Sequence, residues 1–217
     1  RNPSADMLLE ADEVKKEWFN NCHILHFCSV DLIDSPMKLA HKKAIEYALE
    51  SNSIISFDPN IRLPLWDSEQ SCKKAISEFL PFAHIVKISD EELEFITGEN
   101  DIEKSLHKLF VGNVELVLYT KGKDGVDAYT KKVKGMCKGV KVNAIDTTGA
   151  GDSYIGSFLY TLLYKQITLN DIKEMKQETL NEYLEFSNYY AARSTTIKGA
   201  ISSYATKEEI TEFIKNL

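Results

Sequence analysis

The sequence has no Cys-x-x-Cys pair and no long uncharged run. Its four cysteines, Cys22, Cys28, Cys72 and Cys137, lie far apart. That spacing offers no zinc site and reads as reduced thiols packed in an intracellular, cytoplasmic protein. The uncharged stretches are too short to span a bilayer, and no basic start followed by an apolar stretch marks a leader. A membrane partner is therefore not expected. Basic residues are the minority, 26 against 33 acidic, for a net charge of −7. Such a surface has no basic footprint for nucleic acid. Internal repeats, low-complexity tracts and Gly/Ser linkers are all missing. None of the five histidines pairs with another His or a Cys at metal-ligand spacing, and no serine stands in a G-x-S-x-G elbow. The G-x-x-x-x-G-K-[ST] loop is also absent: Lys123 is followed by Asp124.

What is present is ordinary globular material. The 217 residues are 43% hydrophobic and 27% charged, enough for one sizeable core, and are expected to form a single domain over 1–217. Buried-strand patterns fall at 22–30, 53–57, 83–88 and 114–120. Helical patterns fall between them, at 35–51, 68–80, 90–97 and 101–110. Strand–helix alternation implies an α/β fold with a mainly parallel sheet and helices on both faces. From 125 to 145 the pattern changes to a β-meander, with VDAYT, KKVKG and GVKV as its strands. Helices are expected at 150–165, about 171–193 and 207–216, the last opened by a capping box at Thr206.

In open α/β sheets, ligands bind beyond the carboxyl ends of the strands. Asp58, Lys87 and Thr120 sit at or beyond such ends, and so does the turn Asp146-Thr147-Thr148-Gly149-Ala150-Gly151-Asp152. Its small residues leave the backbone bare, so a phosphate can reach the N–H groups of Gly149, Ala150 and Gly151 at a helix start. Asp152 in the first helical turn can take a proton from an attacking hydroxyl. A capped helix start is an equal reading of Gly-Ala-Gly-Asp alone. Other segments carry two readings as well. Ser89 and Glu92 form a capping box. Thr120 to Gly125 forms a β-turn. Asn188 lies on a helix. Pro59 and Pro64 shape a loop containing Asn60 and Arg62, either of which can meet sugar hydroxyls or phosphate.

The complete run D-T-T-G-A-G-D resembles the signature of the ribokinase-like (PfkB) sugar kinases. That resemblance implies a three-layer α/β/α fold. It also implies an ATP-dependent kinase with Asp152 as base and the 149–151 amides as anion hole. Lys87-Ile88-Ser89 through Glu92 is similar to the family's N-x-x-E motif, with Ser89 in place of Asn; Glu92 would then support hydrated Mg²⁺. Thr120, Gly122 and Gly125 match a turn along the ATP phosphates and ribose, with Lys121 where an apolar residue is usual. The segment around Asn188 resembles a helix whose Asn faces adenine; Tyr189 and Tyr190 are bulkier than usual there. Asp146, Thr148, Ser194, Ile197, Gly199 and Ser203 are the implied ligands of a monovalent cation, K⁺.

Residues 1–9, 57–66 and 86–98 resemble the fructokinase branch, although Cys28 replaces a Gly found there. Fructose is thus the expected sugar. The alternatives are 2-keto-3-deoxygluconate, which Arg1 would read, or ribose. A third reading is a non-catalytic nucleotide-binding fragment. Family members carry a further N-terminal portion with the first strands and a β-sheet lid that often makes a homodimer. The chain is therefore expected to be the C-terminal portion of such a kinase.

Overall fold

The computed structural model describes residues 4–216. Six strands form one sheet in chain order. They are β1 (Ile24–Cys28), β2 (Ile54–Asp58), β3 (Ile85–Ser89), β4 (Leu116–Thr120), β5 (Gly125–Thr130) and β6 (Lys134–Lys138). β1, β2 and β3 run parallel, and β5 and β6 form an antiparallel pair. The chain divides into two compact units at the middle of β4, between Val117 and Leu118.

The first unit alternates β1, β2, β3 and the start of β4 with α1 (Pro36–Glu50), α2 (Glu69–Phe79), α3 (Asp90–Thr97) and α4 (Ile102–Leu109). Each helix starts where the sequence supplies a cap or a preset φ. Pro36 opens α1. The Ser68 hydroxyl accepts from Ser71 N–H at 3.1 Å, and Asp101 accepts from the amides of Glu103 and Lys104. β2 is buried along its whole length, as a strand covered on both faces must be. Phe27 of β1 stacks on Phe57 of β2 at 4.7 Å and meets Phe79 of α2 edge-on. Burying each such ring contributes about 1.5–3 kcal/mol.

The second unit contains β5, β6, α5 (Ala150–Tyr164), α6 (Leu169–Lys173), α7 (Gln177–Ser194) and α8 (Lys207–Lys215). α5 packs along α7, and Phe158, Leu162, Leu180 and Leu184 are fully buried. Gly125 enters β5 at φ +97°, where a Cβ would lie 2.1 Å from the Cys137 carbonyl oxygen. Only glycine permits that approach.

Three expectations change. The strand expected at KKVKG (131–135) begins only at Lys134, because Thr130 Oγ1 accepts from the Lys132 and Val133 amides and turns the chain there. GVKV at 139–142 is not a strand. The Lys138 carbonyl at the end of β6 accepts from Asn188 Nδ2 at 2.6 Å, so that acceptor is taken by α7. The helix expected over 171–193 is two helices, broken at Glu174–Lys176. α6 begins earlier, at a Thr168–Asp171 capping box, and the break turns Met175 into the core.

Candidate active site

Gly149 is the residue before α5 and adopts φ +77°, the left-handed region. A Cβ there would lie 2.9 Å from Ala200 Cβ and 3.5 Å from the Tyr204 hydroxyl. Glycine thus meets two needs, the turn and the close approach of the 199–204 loop. The Ala150 N–H closes the turn onto Thr147 O at 3.1 Å. Among the described residues, the Gly149 and Gly151 N–H groups have no hydrogen-bond partner. They stand at the positive end of a 15-residue helix. Asp152 is exposed on the first turn. It lines a groove of about 590 Å³ together with Gly156, Tyr160, Tyr190 and Tyr204. Burial, and then the negative charge of nearby Asp152, push the Tyr204 phenol up.

Asp146 laces this turn to the loop behind it. One carboxylate oxygen accepts from Thr148 N–H and the other from Gly199 N–H, both at 2.9 Å. Hydrogen bonds from the Thr148 side chain and backbone and from the Gly199 backbone, with Lys198 nearby, hold its carboxyl down at about 2. The amides of Ile145 and Asp146 both donate to Thr195 O. Ser153 Oγ meets the buried Ser194 Oγ at 2.9 Å, joining the start of α5 to the end of α7. Ile197 N–H donates to Ser194 O, and buried Ser203 donates through both N–H and Oγ to Ala200 O. The implied cation ligands therefore share one loop system.

Thr120 ends β4, and Gly122 turns the chain at φ +52°. Lys121 is tied to Asp127 at 2.9 Å. Asn188 is nearly buried, and its amide nitrogen serves Lys138 O.

The residues predicted in the first unit form their own cluster. Lys87 is buried and pairs with buried Asp58 at 3.0 Å. Asp58 also accepts from Asn60 N–H. Glu92 holds two segments at once. One oxygen accepts from Ile61 N–H at 2.8 Å, the other from Ser89 N–H and Oγ at 2.9 and 3.0 Å. The loop carrying Asn60 and exposed Arg62 is thus fixed by two carboxylates. Arg1 lies outside the described residues. Sequence reading missed the partnership of Asp58 with Lys87, the approach of Tyr204 to Gly149 and the bond from Arg193 to Ser203 O, all of which depend on tertiary contacts. Among the described residues, no group of three or more His, Cys, Asp or Glu is placed to hold a metal ion, and no helix is long and apolar enough to cross a membrane.

The sheet and the glycine turn define an α/β protein with a long helix opened by a left-handed glycine. Residues 1–207 match the pfkB family carbohydrate kinase model, and the chain belongs to that family. It is 42% identical over 216 residues to fructokinase-2 of Solanum lycopersicum, covering 99% of this chain and 64% of that protein. It thus spans less than two thirds of that relative's length. The crystal structure of fructokinase with bound ATP from Xylella fastidiosa superposes with a TM-score of 0.92 at 25% identity, covering 100% of this chain and 68% of that one. Fructokinase from Vibrio cholerae O395 in its fructose, ADP and calcium ion bound form gives 0.85 at 31% identity, covering 97% and 66%. The fold is therefore ribokinase-like.

Proposed function

We propose that the chain is the phosphoryl-transfer portion of an ATP-dependent fructokinase that makes fructose 6-phosphate. The observation that carries this reading is the α5 start. There the Gly149 and Gly151 amides, without a partner among the described residues, and the exposed Asp152 carboxylate occupy one helical turn. Phosphoryl transfer asks a protein mainly for positioning and charge stabilisation. In this mechanism the 6-hydroxyl of fructose attacks the γ-phosphorus in line, and the bond from that phosphorus to the β–γ bridging oxygen breaks, releasing ADP. Asp152 accepts the hydroxyl proton as the new bond forms. The turn's amides meet the negative charge on the transferred group. Ala150 joins them once its N–H leaves Thr147 O. Similarity to proteins named fructokinase supports the sugar.

Thr120, Gly122 and Gly125 are the proposed nucleotide contacts, with Asn188 steadying the end of β6. Lys87 acts through Asp58, and Ser89 through Glu92. Both Glu92 oxygens already accept protein hydrogen bonds. That fits an outer-sphere role toward Mg²⁺, which keeps its waters. Mg²⁺ would neutralise phosphate charge. The family resemblance alone would place a monovalent cation among Asp146, Thr148, Ser194, Ile197, Gly199 and Ser203. Asn60 and Arg62 are the proposed sugar-side contacts. Location in the cytoplasm and pairing of two copies belong to the same proposal, and light scattering on the full-length protein checks the pairing.

A coupled assay on the full-length protein tests the reading with fructose, ribose, 2-keto-3-deoxygluconate and adenosine. Fructose should give the highest kcat/KM. Asp152→Asn should lower turnover about 10²–10⁴-fold while ATP still binds. Wild-type turnover in that variant, or ATP binding without turnover in the parent, would sink the proposal.

A further inference from the structure

The loop behind the anion-hole turn carries its own fixed cation. Arg193 is in the last turn of α7, with its side chain 11% exposed. Its Nη1 donates to the Ser203 carbonyl at 2.7 Å, and its Nη2 lies 3.4 Å from Glu209 of α8. Glu209 also accepts from Thr206 N–H at 2.8 Å, so one carboxylate caps α8 and steadies the guanidinium. Two residues along the loop from Ser203, Ala205 O accepts from the Tyr190 hydroxyl at 3.0 Å. At the loop's other end Gly199 N–H is held by Asp146. Ala200 and Tyr204, between these ties, form the wall on which Gly149 rests.

A monovalent cation in such a loop would draw carbonyl and carboxylate oxygens together and stiffen the turn. Here a guanidinium already does this at Ser203, one of the residues proposed to meet K⁺. A carbonyl bonded to Arg is a poorer ligand for a second cation, because the two positive charges repel. Lys198 adds positive charge near Asp146. We infer that Arg193 is the resident brace of the anion hole and that K⁺ contributes little to it in this protein. Arg193 is a positioning residue. The inference rests on the proposed role of the 146–152 turn.

The test compares turnover of fructose by the full-length protein in potassium chloride and in tetramethylammonium chloride at equal ionic strength. The parent should change by less than about twofold, whereas Arg193→Met should fall about tenfold without K⁺ and recover with it. Arg193→Lys, which keeps the charge, should lie between them. Glu209→Gln, at a half-exposed site, should shift cation dependence in the same direction, but less, without endangering the fold. A second readout needs no turnover: K⁺ should raise the thermal unfolding midpoint of Arg193→Met and leave that of the parent unchanged. The inference is overturned by a parent as K⁺-dependent as the Met variant, or by activity lost in a natively folded Met variant that K⁺ does not restore. Should fructose never be phosphorylated, the functional reading fails while the thermal comparison still decides this one.

Discussion

Gly149 is a single residue on which two demands fall. Its φ of +77° costs an L-residue about 1–2 kcal/mol, before any contact is considered. The 2.9 Å approach to Ala200 adds to that. Gly149→Ala should therefore lower stability by about 1–3 kcal/mol in urea denaturation. Adding Ala200→Gly should return the contact part and leave the φ part. Asp146 behaves differently because its effect depends on pH. Its carboxyl is held at about 2 against an ordinary 3.8. A depressed carboxylate contributes its full stability above pH 4, and loses it as pH falls through 2. Urea midpoints of the parent and Asp146→Asn, measured from pH 6 downward, should therefore converge between pH 4 and 2. The helix start at Gly149, with Asp152 in the first turn after it, was legible in the sequence because it is local to one turn. Arg193 was not, since its partners lie 10 and 16 positions further on in a loop and another helix.

At the scale of elements, capping residues announced α8 and α3 correctly. They also explain the one helix that was misread. Thr168 with Asp171 carries the same signature as Thr206 with Glu209, so a start at 168 could have been read. The break before α7 has no such mark. It depends on Met175 finding the core. GVKV alternates like a strand, but pattern alone cannot reveal that the Lys138 carbonyl is committed to Asn188. The Asp58–Lys87 pair joins β2 to β3 across buried surface. Lys87→Met leaves Asp58 without its counter-charge and should cost about 3–5 kcal/mol in chemical denaturation. The double variant Asp58→Asn, Lys87→Met should recover much of that. Equal losses in the single and double variants would show that the pair is not coupled.

At the scale of the molecule, the α/β class and the parallel strands were readable because buried parallel strands are written as continuous apolar runs. Other features of the surface were not. Tyr160 and Tyr164 stack at 5.9 Å on α5, stand 52% and 66% exposed, and both line the Asp152 groove. Exposed aromatic faces of this kind bind apolar dyes. Replacing both with Gln should clearly reduce dye fluorescence while changing stability by about 1 kcal/mol or less.

The order of the sheet, β1 to β6 without a skip, also bears on how the chain comes to be folded. Each strand finds its neighbour after at most one or two intervening helices, so loop closure for every pairing is short and its entropy small. Emerging from a ribosome, the chain can add strands in the order of their synthesis, each edge being covered by the next to arrive. A growing chain of this kind exposes one unpaired edge at a time on its newest side, which limits the interval in which that edge can capture a second chain.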